Sequence, residues 1–189
     1  MHRWKLTGVA TIVALTLFTT AVHAFDGNRK GFILGGGLGP ALTSLGQGYD
    51  DPLDVEELSA RENELGLATD FKIGGGITEK FSLYYVNNVS WVRFSGVTIA
   101  QGTGGLGATY YMEVSAPSLY FVGMIGMSSL WFFFGGVGGY PGFGMGGGVG
   151  YEFAKHWSVE GVATWGHLGL EVESINAFSF LVTVSGIAY

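Results

Sequence analysis

Two residues able to carry out hydrolysis stand close together near the end of the chain. His156 and Ser158 are separated by one residue, and Glu160 follows two positions later. A histidine that takes the proton of a serine hydroxyl, held in place by a carboxylate, is the usual arrangement for nucleophilic hydrolysis. Glu152 is an alternative carboxylate. The group therefore predicts either a hydrolytic site or an ordinary turn beside a partly polar strand.

A second chemical candidate is the acidic stretch between residues 50 and 64, which contains seven acids and one base. Its candidate cation-binding residues are Asp50, Asp51, Asp54, Glu56 and Glu57. Carboxylate oxygens suit hard divalent cations, although the spacing is not that of an EF-hand loop. The alternative is a solvated loop that carries a short helix.

The overall composition excludes several classes of partner and cofactor. The 189 residues have a net charge of −6, which argues against a nucleic acid partner because phosphate binding needs clustered lysine and arginine. The absence of cysteine excludes a disulfide framework. No two histidines have metal-ligand spacing, and the glycine string at 142–147 lacks the strand-to-helix context of a dinucleotide site. We expect no metal and no cofactor.

The first 24 residues are predicted to be an export signal rather than part of the fold. Arg3 and Lys5 precede an apolar run at 9–18, and Val22 and Ala24 supply small residues at −3 and −1 of a cleavage point after Ala24. A membrane-spanning helix would need about 20 apolar residues, so an uncleaved anchor is the weaker alternative. We expect a signal peptide at 1–24 and one mature domain at 25–189.

Alternation of large apolar residues with small ones dominates the rest of the chain. From Phe143 to Phe153 the odd positions are mostly large and apolar, whereas the even positions are four glycines and Glu152. Such a run would destabilise a helix by about 1 kcal/mol per glycine, but in a strand it gives one apolar face and one small face. The same pattern recurs at 65–77. These segments are therefore predicted to be β-strands.

Turn-forming residues divide the chain into eight such segments. The predicted strands are 31–42, 65–77, 81–94, 105–114, 118–131, 143–153, 157–166 and 177–189. Short connections are expected at 78–80, 115–117 and 154–156, and long ones at 43–64, 95–104, 132–142 and 167–176. Alternating short turns and long loops are typical of outer-membrane barrels. Lipid cannot hydrogen-bond an open sheet edge, so we predict an all-β, eight-stranded antiparallel up-and-down transmembrane β-barrel.

The large apolar residues are expected to face lipid, with aromatic residues at both membrane interfaces. The predicted aromatic girdle comprises Trp91, Trp131, Trp157, Trp165, Tyr151 and Phe153. Trp157 and Trp165 would be separated by roughly 20 Å along the membrane normal, close to the height of the apolar band of such barrels. A pair of tryptophans in a soluble core is the alternative.

Four charged residues fall on the face predicted to line the lumen, namely Asp70, Lys72, Glu152 and Glu160. Carboxylates in a confined space need a cation or a shared proton, and Lys72 is the obvious partner. We also expect Glu152 to oppose Ser158 if Phe153 pairs with Trp157. Eight strands leave little open space, so a salt-bridge plug is favoured over an ion path.

Three segments do not follow the pattern. Asn87 would face lipid near the membrane middle, where an amide is costly, so we predict a β-bulge at 87–88. The segment 118–131 is apolar on both faces and cannot be oriented. Thr183 and Ser185 leave the register of the last strand open.

Four stretches give the chain a resemblance to a known family: "GFILGGGLGPALTS", "DFKIGGGITEKFSLYY", "GGGVGYEFAKHWSVEG" and "FSFLVTVSGIAY". They resemble the small eight-stranded outer-membrane barrels, which include the transmembrane domain of outer membrane protein A and the OmpX-like proteins. The resemblance implies a bacterial outer-membrane location. It also implies recognition by the barrel-assembly machinery through a last strand that ends at Tyr189.

The resemblance is one of architecture and does not indicate an activity, and our leading hypothesis is a non-catalytic monomer with a structural or surface-interaction role. Its extracellular loops would contact lipopolysaccharide, ions or host molecules. Eight-stranded lipid A deacylases carry a His-x-Ser pair, so a hydrolase using His156 and Ser158 remains an alternative. That pair lies at a short turn on the predicted periplasmic side, whereas lipid A lies in the outer leaflet. A narrow channel for a small solute or ion is the other alternative.

Overall fold

The computed structural model describes residues 27–48, 62–94, 96–132, 140–169 and 174–189. The predicted signal segment at 1–24 and the five acids of the candidate cation group lie outside these ranges. Within them, no helix is long and apolar enough to cross a membrane.

Eight antiparallel strands form a closed barrel. The strands are β1 (Gly31–Gly48), β2 (Glu62–Gly76), β3 (Phe81–Phe94), β4 (Val97–Tyr111), β5 (Ser118–Phe132), β6 (Tyr140–Ala154), β7 (Trp157–Gly169) and β8 (Ser174–Ala188). Each strand pairs with its sequence neighbours, and β1 also pairs with β8, which completes the circle. The predicted architecture and the number of strands are confirmed.

The connection between β3 and β4 differs from the prediction. Phe94 pairs with Val97, so only two residues separate the strands and the long loop expected at 95–104 is wrong. Residues 102–105 resemble a loop in sequence because three of the four are glycine. In the barrel each of them pairs with β3 on one side and β5 on the other. Pairing to two neighbours keeps this weak strand former extended.

Inward and outward residues alternate along the strands, and this settles the two strands that the sequence left open. On β5, Tyr120, Met124 and Ser128 are buried, whereas the odd-numbered Ile125 and Met127 are exposed. On β8, Thr183 and Ser185 are buried among the inward positions. The polar residues that obscured the pattern therefore point into the lumen.

The predicted bulge at Asn87 and Asn88 is wrong. Asn87 pairs with Phe71 on one side and with Gly104 on the other, in registers that continue unbroken past it. Asn88 is the inward residue and Asn87 the outward one. The amide therefore stays on the outer face, because shifting it inward would break the pairing of β3 with both neighbours.

A bulge occurs instead at the β6–β7 turn. Glu152 opposes Ser158, as expected, but Trp157 pairs with Ala154 rather than with Phe153. Phe153 is the extra residue of this irregularity and remains exposed on the outside. The two-residue turn that follows is closed by His156, whose φ of 71° is in the left-handed region.

Glycines on the inward face make room for large rings in the narrow lumen. A Cβ atom at Gly150 would lie 2.1 Å from Cζ of Tyr120, and one at Gly107 would lie 2.6 Å from Cε2 of Tyr84. Both distances are far below van der Waals contact. Glycines on β4 and β6 are therefore matched in shape to the tyrosine side chains that fill the barrel.

Substitution of Gly150 by alanine tests this fit. We expect Gly150→Ala to lower the free energy of unfolding by about 1–3 kcal/mol, because the methyl group overlaps the Tyr120 ring. Urea unfolding of the lipid-embedded barrel, followed by tryptophan fluorescence, measures it. Gly147→Ala is the matched control, since its nearest contact would be an ordinary 3.5 Å on the outer face. Equal stability of the two variants would contradict the steric explanation.

Candidate functional site

The lumen is sealed first at the end where β1 begins and β8 ends. Arg29 precedes β1, and its buried guanidinium forms an ion pair with Glu152. Arg29 also donates to the carbonyl of Glu113 and lies 3.9 Å from the centroid of the Tyr111 ring. The Tyr189 hydroxyl donates to the other carboxylate oxygen of Glu152. We call these residues the terminal layer; they hold a carboxylate from β6 between two residues that flank the first and last strands.

A second ion pair lies deeper in the barrel. Lys72 Nζ donates to both carboxylate oxygens of Glu160, at 2.8 and 2.6 Å, and both side chains are almost completely buried. The cavity beside this pair measures about 10 Å³, roughly the space needed for one water molecule. A bidentate pair in so little space is a plug rather than a hydrated path.

Asp70 is the remaining charge of the predicted lumen cluster. Its Oδ2 accepts a hydrogen bond of 2.8 Å from the Ser185 hydroxyl. Its Oδ1 is buried and has no hydrogen-bond partner among the described residues. Three carboxylates thus share the described lumen with two cations, Arg29 and Lys72.

Hydroxyl and amide groups form the next layer. Thr43 bonds to Ser90 and, at 2.8 Å, to Ser179. Ser179 donates to Gln101 Oε1 at 2.7 Å, and Gln101 Nε2 donates to Ser128 at 3.1 Å. These bonds link β1, β3, β4, β5 and β8 across the lumen. The network satisfies small polar groups that would be costly to bury alone.

An apolar cluster closes the end opposite the terminal layer. Its buried members are Val92, Phe94, Ile99, Leu130, Leu168 and Ala177. Leu45, Phe132 and Ile175 pack against it. Ion pairs, hydroxyl groups and this cluster therefore fill successive levels of the barrel.

The structure does not bring the predicted hydrolytic residues together. The ring of His156 packs 4.7 Å from the Tyr189 ring, and Nδ1 lies 2.9 Å from the carbonyl oxygen of Ile187. Ser158 points into the lumen, where its hydroxyl is buried. Glu160 is engaged with Lys72. Nucleophile, base and acid do not form a connected chain.

The aromatic residues predicted for the girdle lie on the outside of the barrel. Trp157, Tyr151 and Phe153 are exposed near the terminal end, and Trp131 and Trp165 are exposed towards the opposite end. Trp91 is half-buried and donates to the Thr69 hydroxyl at 3.0 Å. Large apolar side chains cover the surface between them, including Leu38, Leu67, Ile125, Met127 and Val149. The exterior is thus apolar and the interior charged, the reverse of a soluble protein.

Two parts of this arrangement were missed from the sequence. Arg29 was not assigned to the lumen, although three inward carboxylates with a single lysine indicated that another cation was needed. Tyr189 was considered only as a terminal recognition residue, whereas its ring is buried and packs against His156. Arg29 precedes the first strand, where alternation gives no orientation, and Tyr189 continues the inward positions of β8, whose register the sequence left open.

Comparison with known proteins extends only to the fold. No protein-family model and no curated protein matches the chain. Ail, the attachment invasion locus protein of Yersinia pestis, has 9% sequence identity and a TM-score of 0.48, over 82% of this chain and 99% of that chain. The outer membrane protein OprG from Pseudomonas aeruginosa has 14% sequence identity and a TM-score of 0.48, over 86% of this chain and 97% of that chain. Neisserial surface protein A has 14% sequence identity and a TM-score of 0.49, over 83% of this chain and 96% of that chain.

Removal of one partner from the Lys72–Glu160 pair should be far more damaging than removal of both. Lys72→Met leaves a buried carboxylate uncompensated, which should cost about 3–5 kcal/mol of unfolding free energy, whereas Lys72→Met combined with Glu160→Met should recover most of that loss. Urea titration of the folded barrel measures both. Lys155→Met, at an exposed turn, is the charge-matched control and should behave like the parent. A double variant no more stable than the single one would contradict this account.

Proposed function

We propose that the protein is a non-conducting barrel of the bacterial outer membrane with a structural or surface-interaction role. The observation that supports this is the inverted distribution of its side chains. Apolar residues cover the outside, as contact with acyl chains requires, and ion pairs fill the inside. A water-soluble sandwich would have the opposite arrangement.

The filled lumen favours a role outside the barrel rather than transport through it. A permeating ion would have to displace the terminal layer, the Lys72–Glu160 pair and then the apolar cluster. Opening either ion pair without a replacement partner leaves a buried charge, which is costly. The protein is therefore proposed to act through its outer surface and its loops rather than through the lumen.

The loop end is the surface proposed for recognition. Residues 49–61, 133–139 and 170–173 follow strand ends that lie opposite the terminal layer. Barrels of this type place their longer loops outside the cell and their short turns in the periplasm. The acidic residues between 50 and 57 belong to the first of these connections. We propose that they contact divalent cations and the phosphate groups of lipopolysaccharide that such cations bridge.

The orientation can be tested by single-cysteine labelling, because the chain contains no cysteine. We expect Asp54→Cys to react with a membrane-impermeant maleimide on intact cells. Lys155→Cys, at the opposite end, should react only after the outer membrane is permeabilised. Labelling yield is read on gels. Labelling of Lys155→Cys on intact cells, with Asp54→Cys protected, would reverse the topology and exclude extracellular recognition by the acidic loop.

The closed lumen can be tested by electrical recording. The purified barrel is reconstituted in a planar bilayer in about 1 M salt, where charges are screened over about 3 Å. It should give no stable unitary current. The physical reason is the ion pairs and apolar cluster that occupy the whole lumen. A known porin in the same bilayer is the positive control. Reproducible current steps of one size would exclude the non-conducting proposal and favour the narrow channel.

A further inference from the structure

Asn87 poses a problem that the barrel itself does not solve. Its amide lies on the outer face near the middle of β3, where lipid offers it no hydrogen bond. It makes no hydrogen bond with any described residue. Burying an amide in hydrocarbon without a partner is costly, so a group outside the chain is expected to supply one.

The surface around Asn87 is a groove rather than a convex wall. Its floor is the outward side of β4, formed by Ala100 and Gly102. Ala100 and Gly102 are buried although their register points them to the outside. They are buried because the strands on either side carry larger residues at the paired positions.

The two walls are set by strand register. On β3, Trp91 stands beside Ala100 and Asn87 beside Gly104. On β5, Trp131 stands beside Ala100 and Ser129 beside Gly102. The cavity between the walls measures about 320 Å³, at the small end of the range for ligand pockets.

Two polar groups converge inside this apolar groove. The position of a Cβ atom on Gly102 lies 3.6 Å from Ser129 Oγ and 3.8 Å from Asn87 Oδ1, and no atom of the chain occupies it. Ser129 accepts a hydrogen bond of 3.2 Å from the Trp131 indole, and its own proton has no acceptor among the described residues. A mostly apolar pocket with a few convergent polar groups is typical of a small-ligand site.

We infer that this groove, floored by Ala100 and Gly102, binds one lipid acyl chain that carries a hydroxyl group. The chain lies between the two tryptophans, and its hydroxyl sits over Gly102, donating to Asn87 or Ser129 and accepting from the other. The tryptophans lie towards the loop end, and Asn87 lies roughly 10 Å deeper. The groove therefore spans the leaflet at the loop end, which is the outer leaflet on the proposed topology.

A lipid suits this groove better than a second copy of the protein. Asn87 is recessed beside the floor, and the exposed Trp131 ring projects beyond it. Across a two-fold axis the projecting rings would meet before the recessed amides could pair. A slender chain enters the groove without that conflict.

Competition between lipids tests the site. The full chain is purified from membranes with Trp4, Trp157 and Trp165 replaced by phenylalanine, so that Trp91 and Trp131 report alone. It is placed in vesicles of brominated phosphatidylcholine, which quenches tryptophan on contact. Phosphatidylcholine with a 3-hydroxytetradecanoyl chain is then added, or its twin without the hydroxyl. We expect the hydroxylated lipid to relieve quenching about three- to tenfold more effectively, as one net hydrogen bond allows.

The variants separate the hydroxyl site from general lipid contact. Gly102→Ala places a methyl group at the hydroxyl position with ordinary contacts, so it should fold and lose the preference. Asn87→Leu should lose it as well. Gly123→Ala, on the outer face with nothing within 4 Å, should keep it. Heat-dependent gel migration shows that each variant is folded.

Three outcomes would overturn the inference. Equal relief by the two lipids in the parent protein means that the groove does not recognise a hydroxyl. If both Gly102→Ala and Asn87→Leu retain the preference for the hydroxylated lipid, the hydroxyl group is recognised elsewhere. Lipid-independent cross-linking of a Ser129→Cys variant between barrels makes this face a contact between copies. The inference rests on the proposed membrane location, and the experiment distinguishes failure of one from failure of the other. If the membrane location is wrong, brominated lipid will not quench the tryptophans at all. If only the hydroxyl site is wrong, quenching will occur without a preference between the two added lipids.

Discussion

Closure of the backbone hydrogen-bond ladder is the constraint on which the structure depends. In lipid no solvent can bond an unpaired strand edge, so the first and last strands must find each other. β1 and β8 pair along most of their length, and the paired positions skip only Gly39 and Pro40. Proline has no N–H to donate, so a gap at that point costs less than it would elsewhere. The circumference is thereby fixed at eight strands.

Once eight strands close, the lumen is too narrow for water and too polar for hydrocarbon. The chain resolves this conflict with matched pairs. Glycine lies under tyrosine where rings must fit, as at Gly150 and Tyr120. Cations meet carboxylates where charges must be buried, as at Lys72 and Glu160. The same closure explains the outside, because every residue that does not face the lumen faces lipid.

Much of the fold could be predicted from the sequence because alternation is a direct consequence of strand geometry. Phe143–Phe153 shows it almost without exception, and the orientation of Glu152 and Glu160 follows from it. The prediction failed where local composition and tertiary pairing disagree. Residues 102–105 look like a loop but are held extended by two neighbours. Asn87 was expected to trigger a bulge, yet the cost of breaking two ladders exceeds the cost of one outward amide.

The candidate sites were less predictable, since they depend on groups that are distant in sequence. The hydroxyl network joins Thr43, Gln101 and Ser179, which no short motif connects. The groove on the outer face exists only because paired positions on three strands differ in size. Such features follow from register, and register becomes certain only when the barrel is closed.

The terminal layer has a consequence for the order of assembly. Glu152 takes one partner from before the first strand, 123 positions away, and another from after the last strand, 37 positions away. Until the last strand is in place, this acid lacks the hydrogen bond from Tyr189. Contacts of such long range form late in folding. Completion of the ring and full hydrogen bonding of Glu152 therefore coincide, so a half-built intermediate is left with an electrostatic penalty that the finished molecule lacks.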